Sequence, residues 1–397
     1  MLTPYEGGLF VSPAALELTL SYCSHKCAYC FANLQTPDRK FAPGPTVNLL
    51  TQFRNRDTFA ARLLQQGYAA LMSNRVDPFA VSNYRQSLPL IELMVTQGVP
   101  IMFQTRGGPG VQDAIKMVPR SAWYISICHA DDAIRKRIEP GSPSIQSRLD
   151  LAESLLAAGH HVDVGLNPLV EDWMPHPEKM LDTLFRIGVR HVTVSALELD
   201  GRSITRMSDS ERKAVGPEVL AEAKDRVGGI AFTERALSYA RSTGMHAWRF
   251  PDNQPSNYYD AYSAIYPKTM PLAQDYLNHC FSSLAPGALI NANHFLDFML
   301  PRLPPSPACC EIMQYGRCSS RAKVKDRLPM KCTWDQLLRI VWDTPSHKLN
   351  PMKSKSFALV SGLDNMEVQD GDGLPLMAFL GNPGTEELYV PLEGLAC

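Results

Sequence analysis

Three cysteines within eight residues constrain this chain more than any other feature. Cys23, Cys27 and Cys30 stand in the segment Cys-Ser-His-Lys-Cys-Ala-Tyr-Cys. Three thiolates at this spacing can bind three irons of a [4Fe–4S] cluster, which leaves the fourth iron open to a small ligand. A structural zinc site usually pairs two Cys-x2-Cys half-sites, and no second half-site follows in the next forty residues. The spacing therefore favours a fold built around an iron–sulfur cluster.

The composition is that of an ordinary globular chain. It has 397 residues, of which 45% are hydrophobic and 20% charged, with a formal net charge of −1. This balance gives no overall attraction to nucleic acid or to anionic membranes. The sequence shows no membrane-spanning run and no signal peptide, so we expect a cytoplasmic protein without a membrane partner. In that compartment the ten cysteines would be reduced thiols that hold metal rather than disulfides.

Strand and helix patterns alternate between residues 12 and 250. The predicted strands are Leu16–Ser21, Tyr68–Met72, Pro100–Gln104, Trp123–Ile127, His161–Asn167 and His191–Ala196, with a short seventh at His246–Phe250. Amphipathic segments such as Pro143–Ala158 separate them, which predicts a parallel sheet covered by helices. Six such units indicate an α/β fold, a partial (β/α)6 TIM-like barrel. Such barrels place their chemistry at the C-terminal ends of the strands, where Cys23 stands.

The pattern changes after residue 250. The turn-rich segment Phe250–Pro255 precedes a predicted helix at Tyr259–Leu284 and a proline-dense linker at Pro301–Pro307. A cysteine-rich stretch follows, with strand candidates at Phe357–Ser361 and Glu387–Val390. We predict a barrel domain at residues 1–250 and a smaller, cysteine-rich mixed domain at residues 251–397.

The cysteine loop, with Tyr29 before the last cysteine, resembles that of the radical S-adenosylmethionine (radical SAM) enzymes. The segment Arg-Ile-Glu-Pro-Gly-Ser-Pro at 137–143, then Arg148, then Asn167-Pro168, resembles the spore photoproduct lyase or DNA repair photolyase-like subgroup, over about residues 15–200. The resemblance implies a [4Fe–4S] cluster whose open iron chelates S-adenosylmethionine. One electron, from a reductant such as flavodoxin or ferredoxin, then cleaves this cofactor to a 5′-deoxyadenosyl radical that abstracts hydrogen from a substrate.

The resemblance also implies which residues touch the cofactor. These cofactor-binding candidates are Tyr29, Ser73, Asn74, Arg106, Ser126, Arg148 and Asn167. Ser126 would face the ribose, Arg148 the methionyl carboxylate and Asn167 the adenine. The alternative is structural, because polar residues at strand ends commonly cap helices and a helical arginine is commonly solvated.

Two positions depart from the lyase. The subgroup's lyase has a cysteine hydrogen donor after the second strand, where this chain has Met72, and a tyrosine where this chain has Phe31. Cys128 lies two residues beyond Ser126, so strand alternation puts both on one face. Cys128 is therefore the catalytic candidate, as a substitute hydrogen donor, and a buried inert thiol is the alternative. Glu139 is expected to be structural, bonded to the backbone or to Arg137.

A second group of cysteines lies near the C-terminus. We predict a second metal centre, either iron–sulfur or zinc, bound by Cys280, Cys310 (or its neighbour Cys309), Cys318 and Cys332. Inert clustering of thiols is the alternative. Basic residues interleave with these cysteines at Arg317, Arg321, Lys323, Lys325, Arg327 and Lys331. Such a stretch suits phosphates, although most charge runs are solvated, so a nucleic-acid or nucleotide substrate is left open.

Two classes of function fit the sequence. The first is a radical SAM enzyme whose substrate, and whose reaction class among lyases, oxidoreductases and transferases, the sequence does not fix. The alternative is a non-catalytic iron–sulfur binding or sensing protein that docks nucleic acid through its basic C-terminal region. The set of cofactor-contact candidates favours the enzyme.

Overall fold

The structure is a computed structural model that describes part of the chain. The described residues have the following numbers. They are 5–6, 9–11, 16–18, 20, 22–30, 34, 43–56, 61, 64–65, 67, 69–72, 76–197, 199, 201–225, 227–249, 279–291, 294, 297, 363–371 and 375–381. The chain forms two compact units, one of Glu17–Thr51 with Ala70–Ile265, the other of Met1–Leu16, Gln52–Ala69 and Tyr266–Cys397. The predicted domain boundary at residue 250 stays a prediction.

The described strands and helices have these bounds. The strands are β1 (Tyr5–Glu6), β2 (Leu9–Val11), β3 (Leu16–Leu18), β4 (Ala70–Met72), β5 (Ile101–Thr105), β6 (Ala122–Ser126), β7 (His161–Leu169), β8 (His191–Ala196), β9 (His246–Arg249), β10 (Leu289–Ile290), β11 (Leu363–Gln369) and β12 (Pro375–Phe379). The α-helices are α1 (Pro43–Gln52), α2 (Tyr84–Thr96), α3 (Val111–Met117), α4 (Asp132–Ile138), α5 (Ile145–Ala157), α6 (Pro177–Arg186), α7 (Gly201–Arg206), α8 (Asp209–Val215), α9 (Pro217–Asp225) and α10 (Val227–Ser242).

Six neighbouring strands, β4 to β9, run parallel and in chain order within one larger sheet. Helices stand between consecutive strands, because a parallel neighbour can be reached only by a crossover connection. The predicted α/β fold with six parallel strands is confirmed. All C-terminal strand ends share one edge of this sheet, which we call the carboxyl edge.

The two faces of the sheet differ in chemistry. One face carries apolar residues in register, where the rings of Phe103 and Trp123 stack at 3.8 Å between centroids. The other face, which we call the polar face, carries Tyr124 and Ser126 on β6 with Gly165 on β7 beside Ser126. A side chain at Gly165 would overlap with the hydroxyl and ring of Tyr124, so glycine is what lets this tyrosine lie across β7.

Met72 pairs in register with Phe103 and therefore lies on the apolar face. Its side chain is fully buried there. The sequence comparison with the lyase placed Met72 at the position of a hydrogen donor. The register assigns it instead to the face opposite Ser126, where it belongs to the hydrophobic core.

The two helices between β6 and β7 each begin at a residue whose side chain caps the helix. Asp131 accepts hydrogen bonds from the backbone N–H groups of Ala133 and Ile134, which starts α4. Ser144 accepts a hydrogen bond from the N–H of Ser147 at 3.1 Å, which starts α5. The Ser144 cap ends the connection 139–144 between the two helices.

The second unit contains antiparallel strand pairs. Strands β1 and β2 pair antiparallel, and β12 lies between β10 and β11 in a three-stranded sheet. The predicted helix Tyr259–Leu284 is described only at 279–284, of which 279–283 are helical, and the predicted strands Phe357–Ser361 and Glu387–Val390 lie outside the described residues. Among the residues that the structure places, no helix has the length and apolar character needed to cross a membrane.

Candidate functional site

The cysteine loop folds tightly after β3. Its backbone turns at Cys27, whose carbonyl accepts a hydrogen bond from the N–H of Cys30 at 3.1 Å. Lys26 adopts a positive φ of 51°, which reverses the chain between the first and second cysteines. Cys23 and Cys27 are buried and Cys30 is half-buried, and all three are free thiols. The three cysteines thus lie on one short loop.

Two neighbouring segments clasp this loop. Ser24 and Ser82 exchange hydrogen bonds, since the N–H of each donates to the hydroxyl of the other at 3.1 and 3.2 Å. On the other side, the N–H of Gly141 donates to the carbonyl of His25 at 3.0 Å. Any side chain at Gly141 would overlap with the carbonyl of Ser24, so the two segments approach backbone to backbone.

Asp77, just beyond β4, links the loop to the carboxyl edge. Its carboxylate accepts hydrogen bonds from the Thr105 hydroxyl at 2.7 Å and the Arg106 N–H at 2.5 Å, and it lies 3.1 Å from Nε2 of His25. Burial alone would raise the pKa of Asp77, but His25 and these donors hold it below its ordinary value. Asp77 is therefore an ionised anchor between the cysteine loop and the end of β5.

Glu139 is the centre of a buried ionic cluster. Its carboxylate has no exposed surface. Five side chains donate hydrogen bonds to it: Tyr29, Arg106 (2.9 Å), His129 (2.9 Å), Ser142 (3.1 Å) and Arg148 (2.6 Å). Burial opposes its ionisation, but Arg106 and Arg148 lower the pKa of Glu139 well below its usual range. The prediction that Arg137 bonds to Glu139 is wrong. Arg137 is exposed, and it is Arg106 and Arg148 that donate to the carboxylate.

The two arginines of this cluster occupy different environments. Arg148 has no exposed surface and also donates to the carbonyl of Ser126 at 2.8 Å and to the Ser142 hydroxyl at 2.6 Å. The Arg106 side chain is 20% exposed and donates to the Tyr29 hydroxyl at 3.0 Å. A contact of Arg148 with a methionyl carboxylate would compete with Glu139, so that predicted contact stays a prediction.

Cys128 lies where the ends of β6 and β7 meet. Its thiol donates to the carbonyl of Asn167 at 3.0 Å and lies 3.4 Å from the Ser126 hydroxyl and 3.1 Å from the Tyr29 hydroxyl oxygen. Burial, and next to it the charge of Glu139, raise the pKa of Cys128. The sulfur therefore keeps its hydrogen at neutral pH.

The structure brings together most of the predicted site residues. Those that meet at the carboxyl edge are Tyr29, Arg106, Ser126, Cys128, Arg148 and Asn167. Ser73 and Asn74 lie outside the described residues. Sequence reasoning missed Asp77 and His129. It also missed that Glu139 is the centre of the buried ionic cluster. The Asp-Pro-Phe segment after β4 and the Glu-Pro-Gly segment after α4 were the signals available for two of them.

The donor set of the loop fits an iron–sulfur cluster. Burial, with Asp77 next, raises the pKa of Cys23 to about 11, and burial raises the pKa of Cys27, with Glu139, Cys30 and Cys23 adding to it and Arg106 opposing it. Thiols that resist ionisation in the metal-free protein lose their protons when iron binds. Within the part of the chain that the structure describes, no three His, Cys, Asp or Glu side chains form a single-ion site. A cluster needs no such convergence, because each thiolate binds its own iron.

The predicted second metal centre is described at one position only. Cys280 is a buried free thiol in the second unit. Cys309, Cys310, Cys318 and Cys332 lie outside the described residues. The second centre stays a prediction.

Comparison with known proteins gives relatives of unassigned function. No family model matches the chain. An uncharacterized protein of Mycobacterium tuberculosis and one of Mycobacterium bovis are each 27% identical to it over 197 residues, which is 45% of this chain and 57% of the relative. The chain thus spans little more than half the length of these curated relatives.

Comparison of folds gives neighbours with known chemistry. Spore photoproduct lyase complexed with dinucleoside spore photoproduct aligns with 60% of this chain and 77% of its own, at a TM-score of 0.46 and 16% identity. Streptococcus suis SuiB bound to precursor peptide SuiA aligns with 62% of this chain and 50% of its own, at a TM-score of 0.38 and 12% identity.

Proposed function

We propose that the protein is a radical SAM enzyme. The observation that carries the proposal is the clasped loop of Cys23, Cys27 and Cys30 beside the carboxyl edge of the six parallel strands. Active sites of parallel barrels lie at this edge. A buried ionic cluster stands directly behind the loop, through Tyr29. No observation on the described residues favours the non-catalytic alternative.

The bound [4Fe–4S] cluster and S-adenosylmethionine would supply a 5′-deoxyadenosyl radical, by one-electron cleavage, for hydrogen abstraction from the substrate. The chain provides the holding and the orientation. Its three thiolates would bind the cluster. Asp77 and the hydrogen bonds between Ser24 and Ser82 would fix the loop that carries these thiolates. Because the loop is already ordered, no conformational entropy would be lost by ordering it at each turnover.

Arg106 is better placed than Arg148 to meet the carboxylate of S-adenosylmethionine. Its side chain is partly exposed, and Glu139 and Tyr29 orient its guanidinium. Arg148 acts behind it by keeping Glu139 ionised and by fixing the carbonyl of Ser126. Ser126 and Asn167, at the ends of β6 and β7, complete the proposed cofactor contacts, with Ser73, Asn74 and Tyr29 as further candidates.

Cys128 is the proposed hydrogen donor. It keeps its S–H bond at neutral pH and lies on the same side as the cofactor candidates, beside Ser126. Returning that hydrogen atom to a carbon radical of the substrate would leave the unpaired electron on sulfur, 3.1 Å from the Tyr29 hydroxyl. For another turnover the sulfur would have to take up one electron, from the reductant, and one proton to restore its S–H bond.

The substrate and the reaction class are open parts of the proposal. A nucleic acid or nucleotide is one candidate substrate, because of the basic residues at 317–331. An electron donor of the flavodoxin or ferredoxin type and a reducing cytoplasm complete the proposal. Lyase, oxidoreductase and transferase outcomes all follow from the same first hydrogen abstraction.

The test is anaerobic reconstitution with iron and sulfide, followed by dithionite, S-adenosylmethionine and chromatographic detection of 5′-deoxyadenosine. The wild-type protein should bind about four irons in its primary cluster and form the nucleoside. Replacing Cys23, Cys27 and Cys30 by alanine should abolish both.

Cys280→Ala is the matched control, since it removes another buried thiol. It should leave the cleavage intact. Cleavage that persists in the triple variant would refute the cluster assignment, and iron lost in Cys280→Ala would support the second metal centre.

A further inference from the structure

A pocket opens at the carboxyl edge where β7 and β8 end. Leu169, the last residue of β7, pairs in register with Ala196, the last residue of β8. Helix α10 packs against β8, and α9 packs against α10. The space between these two helices and the strand ends at 169–171 and 196–197 is open, and we call it the edge pocket.

The floor of the edge pocket is apolar. Its buried side chains include Leu169, Val170, Leu197, Val219 and Phe232. Gly229 on α10 forms part of the wall, and a Cβ at this position would lie 2.8 Å from the Cβ of Ala196, so α10 can approach the end of β8 this closely only at a glycine. The space measures about 330 Å³ with the open solvent at its mouth included. It therefore suits one small group rather than a whole substrate.

Two glutamates bring negative charge to this apolar pocket. Glu171 follows β7 and Glu222 lies on α9, and both are exposed lining residues. The carboxylate of Glu222 leans toward α10, where its Oε1 lies 3.8 Å from the position that a Cβ of Gly229 would take. Within the described part of the chain, no hydrogen bond or ion pair joins either glutamate to another residue. Both carboxylates are therefore available to accept hydrogen bonds from a ligand.

Arg235 is a cation beside this pocket, and it is already paired. Its guanidinium lies 4.7 Å from the ring centre of Phe232, but it is 3.2 Å from the carboxylate of Glu178 and donates to the carbonyl of Pro175 at 3.1 Å. Among the lining residues that the structure describes, none is basic. The edge pocket thus has uncompensated negative charge beside an apolar floor, which attracts cations.

We propose that the edge pocket binds an aliphatic ammonium group. The apolar stem of such a ligand would lie on the floor, while its charged end stays near water beside Glu171 and Glu222, as the side chain of lysine does on protein surfaces. An ammonium group has three donors and no acceptor, which matches two carboxylates that only accept. Its small size suits the limited space better than a planar guanidinium.

Other ligands suit the edge pocket less well. Mg²⁺ and Ca²⁺ take six or more oxygen ligands, and an apolar floor supplies none. Among the described residues, no three His, Cys, Asp or Glu side chains converge on one ion. The phosphates of a nucleic acid would be repelled by both carboxylates.

The edge pocket borders the proposed reaction site. Val170 and Leu197 belong to the same buried hydrophobic cluster as Tyr29 and Cys128. Trp173 connects the two places, because its N–H donates to the carbonyl of Val170 at 3.1 Å and its ring lies 5.4 Å from that of Tyr29. The inference goes beyond the proposed function and does not depend on it, because binding an ammonium group needs neither a cluster nor an electron.

The test compares three probes that share one five-carbon stem: pentylammonium, 1-pentanol and pentanoate. Each is titrated into the full chain at pH 7 and physiological salt, and binding is followed by saturation-transfer NMR. Pentylammonium should bind more tightly than 1-pentanol, and pentanoate more weakly. Glu222→Gln should lower the affinity for pentylammonium by about twofold to fivefold, the size expected for an exposed ion pair, and leave that for 1-pentanol unchanged. The double variant Glu171→Gln/Glu222→Gln should lose about tenfold.

Glu153→Gln is the matched control, since it removes the same charge from an exposed position on α5. It should bind all three probes like the wild type. An unchanged melting temperature in the variants shows that they fold.

The outcomes decide on the edge pocket by themselves. The inference fails if pentylammonium binds no more tightly than 1-pentanol, or if Glu222→Gln and Glu153→Gln bind it equally well. It also fails if Glu222→Gln loses 1-pentanol to the same extent, because the glutamate would then maintain the shape of the floor rather than attract a cation. Since the titrations contain no S-adenosylmethionine, they remain decisive even if the 5′-deoxyadenosine assay refutes the proposed function.

Discussion

Two buried carboxyl groups, at opposite ends of the same sheet, are held in opposite charge states. Glu139 at the carboxyl edge receives five side-chain hydrogen bonds, and its pKa, which burial would raise, is lowered by Arg106 and Arg148. Asp163 enters the polar face near the start of β7, where Thr193 lies 3.4 Å from one oxygen and the other oxygen has no hydrogen-bond partner. Burial raises the pKa of Asp163 to about 7. Donors, and not burial, therefore decide which carboxyl is ionised.

Burial also favours the neutral form of two histidines at this end of the sheet. His161, His191 and His246 begin β7, β8 and β9, and their rings follow one another at 4.5 and 4.9 Å between centroids. Burial and neighbouring cations lower the pKa of His161 to about 3, and burial lowers that of His191 to about 4. The carboxyl edge thus holds an ionised carboxylate, whereas at the other end burial favours the neutral forms of Asp163, His161 and His191.

The largest expected effect comes from removing the charge of Glu139. Glu139→Gln leaves Arg106 and Arg148 without a buried counter-ion, which should lower the free energy of unfolding by about 3–5 kcal/mol. Urea unfolding at pH 7, followed by tryptophan fluorescence, measures it. Because the pKa of Glu139 is lowered in the fold, its contribution is complete at neutral pH and declines in acid, as pH falls through the folded value.

The matched control for that variant is Glu153→Gln, an exposed glutamate on α5. It should change the stability by no more than about 0.5 kcal/mol. A loss of less than about 1 kcal/mol in Glu139→Gln would show that the two arginines are stabilised by other groups.

Asp163→Asn should change the free energy of unfolding in the opposite direction, toward greater stability. The folded wild type holds this proton up to about pH 7, whereas the unfolded chain releases it near 3.8. Stability from this group is therefore full below 3.8 and is lost as pH rises to 7. At pH 8 the variant should gain up to about 4 kcal/mol in unfolding free energy, and the gain should vanish at pH 4. A gain that is independent of pH would mean that Asp163 does not titrate in this range.

Cofactor affinity should distinguish the two ends of the sheet. Arg106→Lys keeps a positive charge near Glu139 but loses the guanidinium fork, so S-adenosylmethionine should bind about tenfold to a hundredfold more weakly. Asp163→Asn should leave that affinity unchanged. Equilibrium dialysis with reconstituted protein measures both, and iron content controls for loss of the cluster. Equal affinity in Arg106→Lys and the wild type would contradict the proposed role.

The smallest expected effect is at His191. Its pKa is lowered in the fold, so the neutral ring is favoured and stability falls as pH drops below the unfolded value of 6.5. His191→Asn removes this acid sensitivity. Between pH 8 and pH 5 the wild type should lose about 1–2 kcal/mol more free energy of unfolding than the variant. This range allows for the partial exposure of the ring. The same pH profile in both proteins would assign the acid sensitivity elsewhere.

Local patterns in the sequence account for the sheet and for part of the site. The strands β5 to β8 were predicted within one or two residues, because apolar runs between turn residues are a local signal. Parallel strands present their C-terminal ends on one edge, which is why Arg106, Ser126, Cys128 and Asn167 were predicted to lie together.

The ionic cluster of Glu139 was beyond such reasoning. Its donors come from segments at 29, 106, 129 and 148, and no spacing in the sequence relates them. Arg148 illustrates the point, since a charged residue on a helix is normally solvated and here it has no exposed surface. Only the packing of α5 against the sheet places it beside a carboxylate.

The contact between Gly165 and Tyr124 has a consequence for how this sequence can change over time. Because any larger residue at 165 would overlap with the tyrosine ring, the two positions cannot drift independently. A lineage that acquires alanine at 165 must also move the tyrosine side chain or replace it with a smaller residue. Among homologues the pair should therefore vary together, and recombination between lineages that carry different pairs should yield poorly folding chains when the crossover falls between residues 124 and 165.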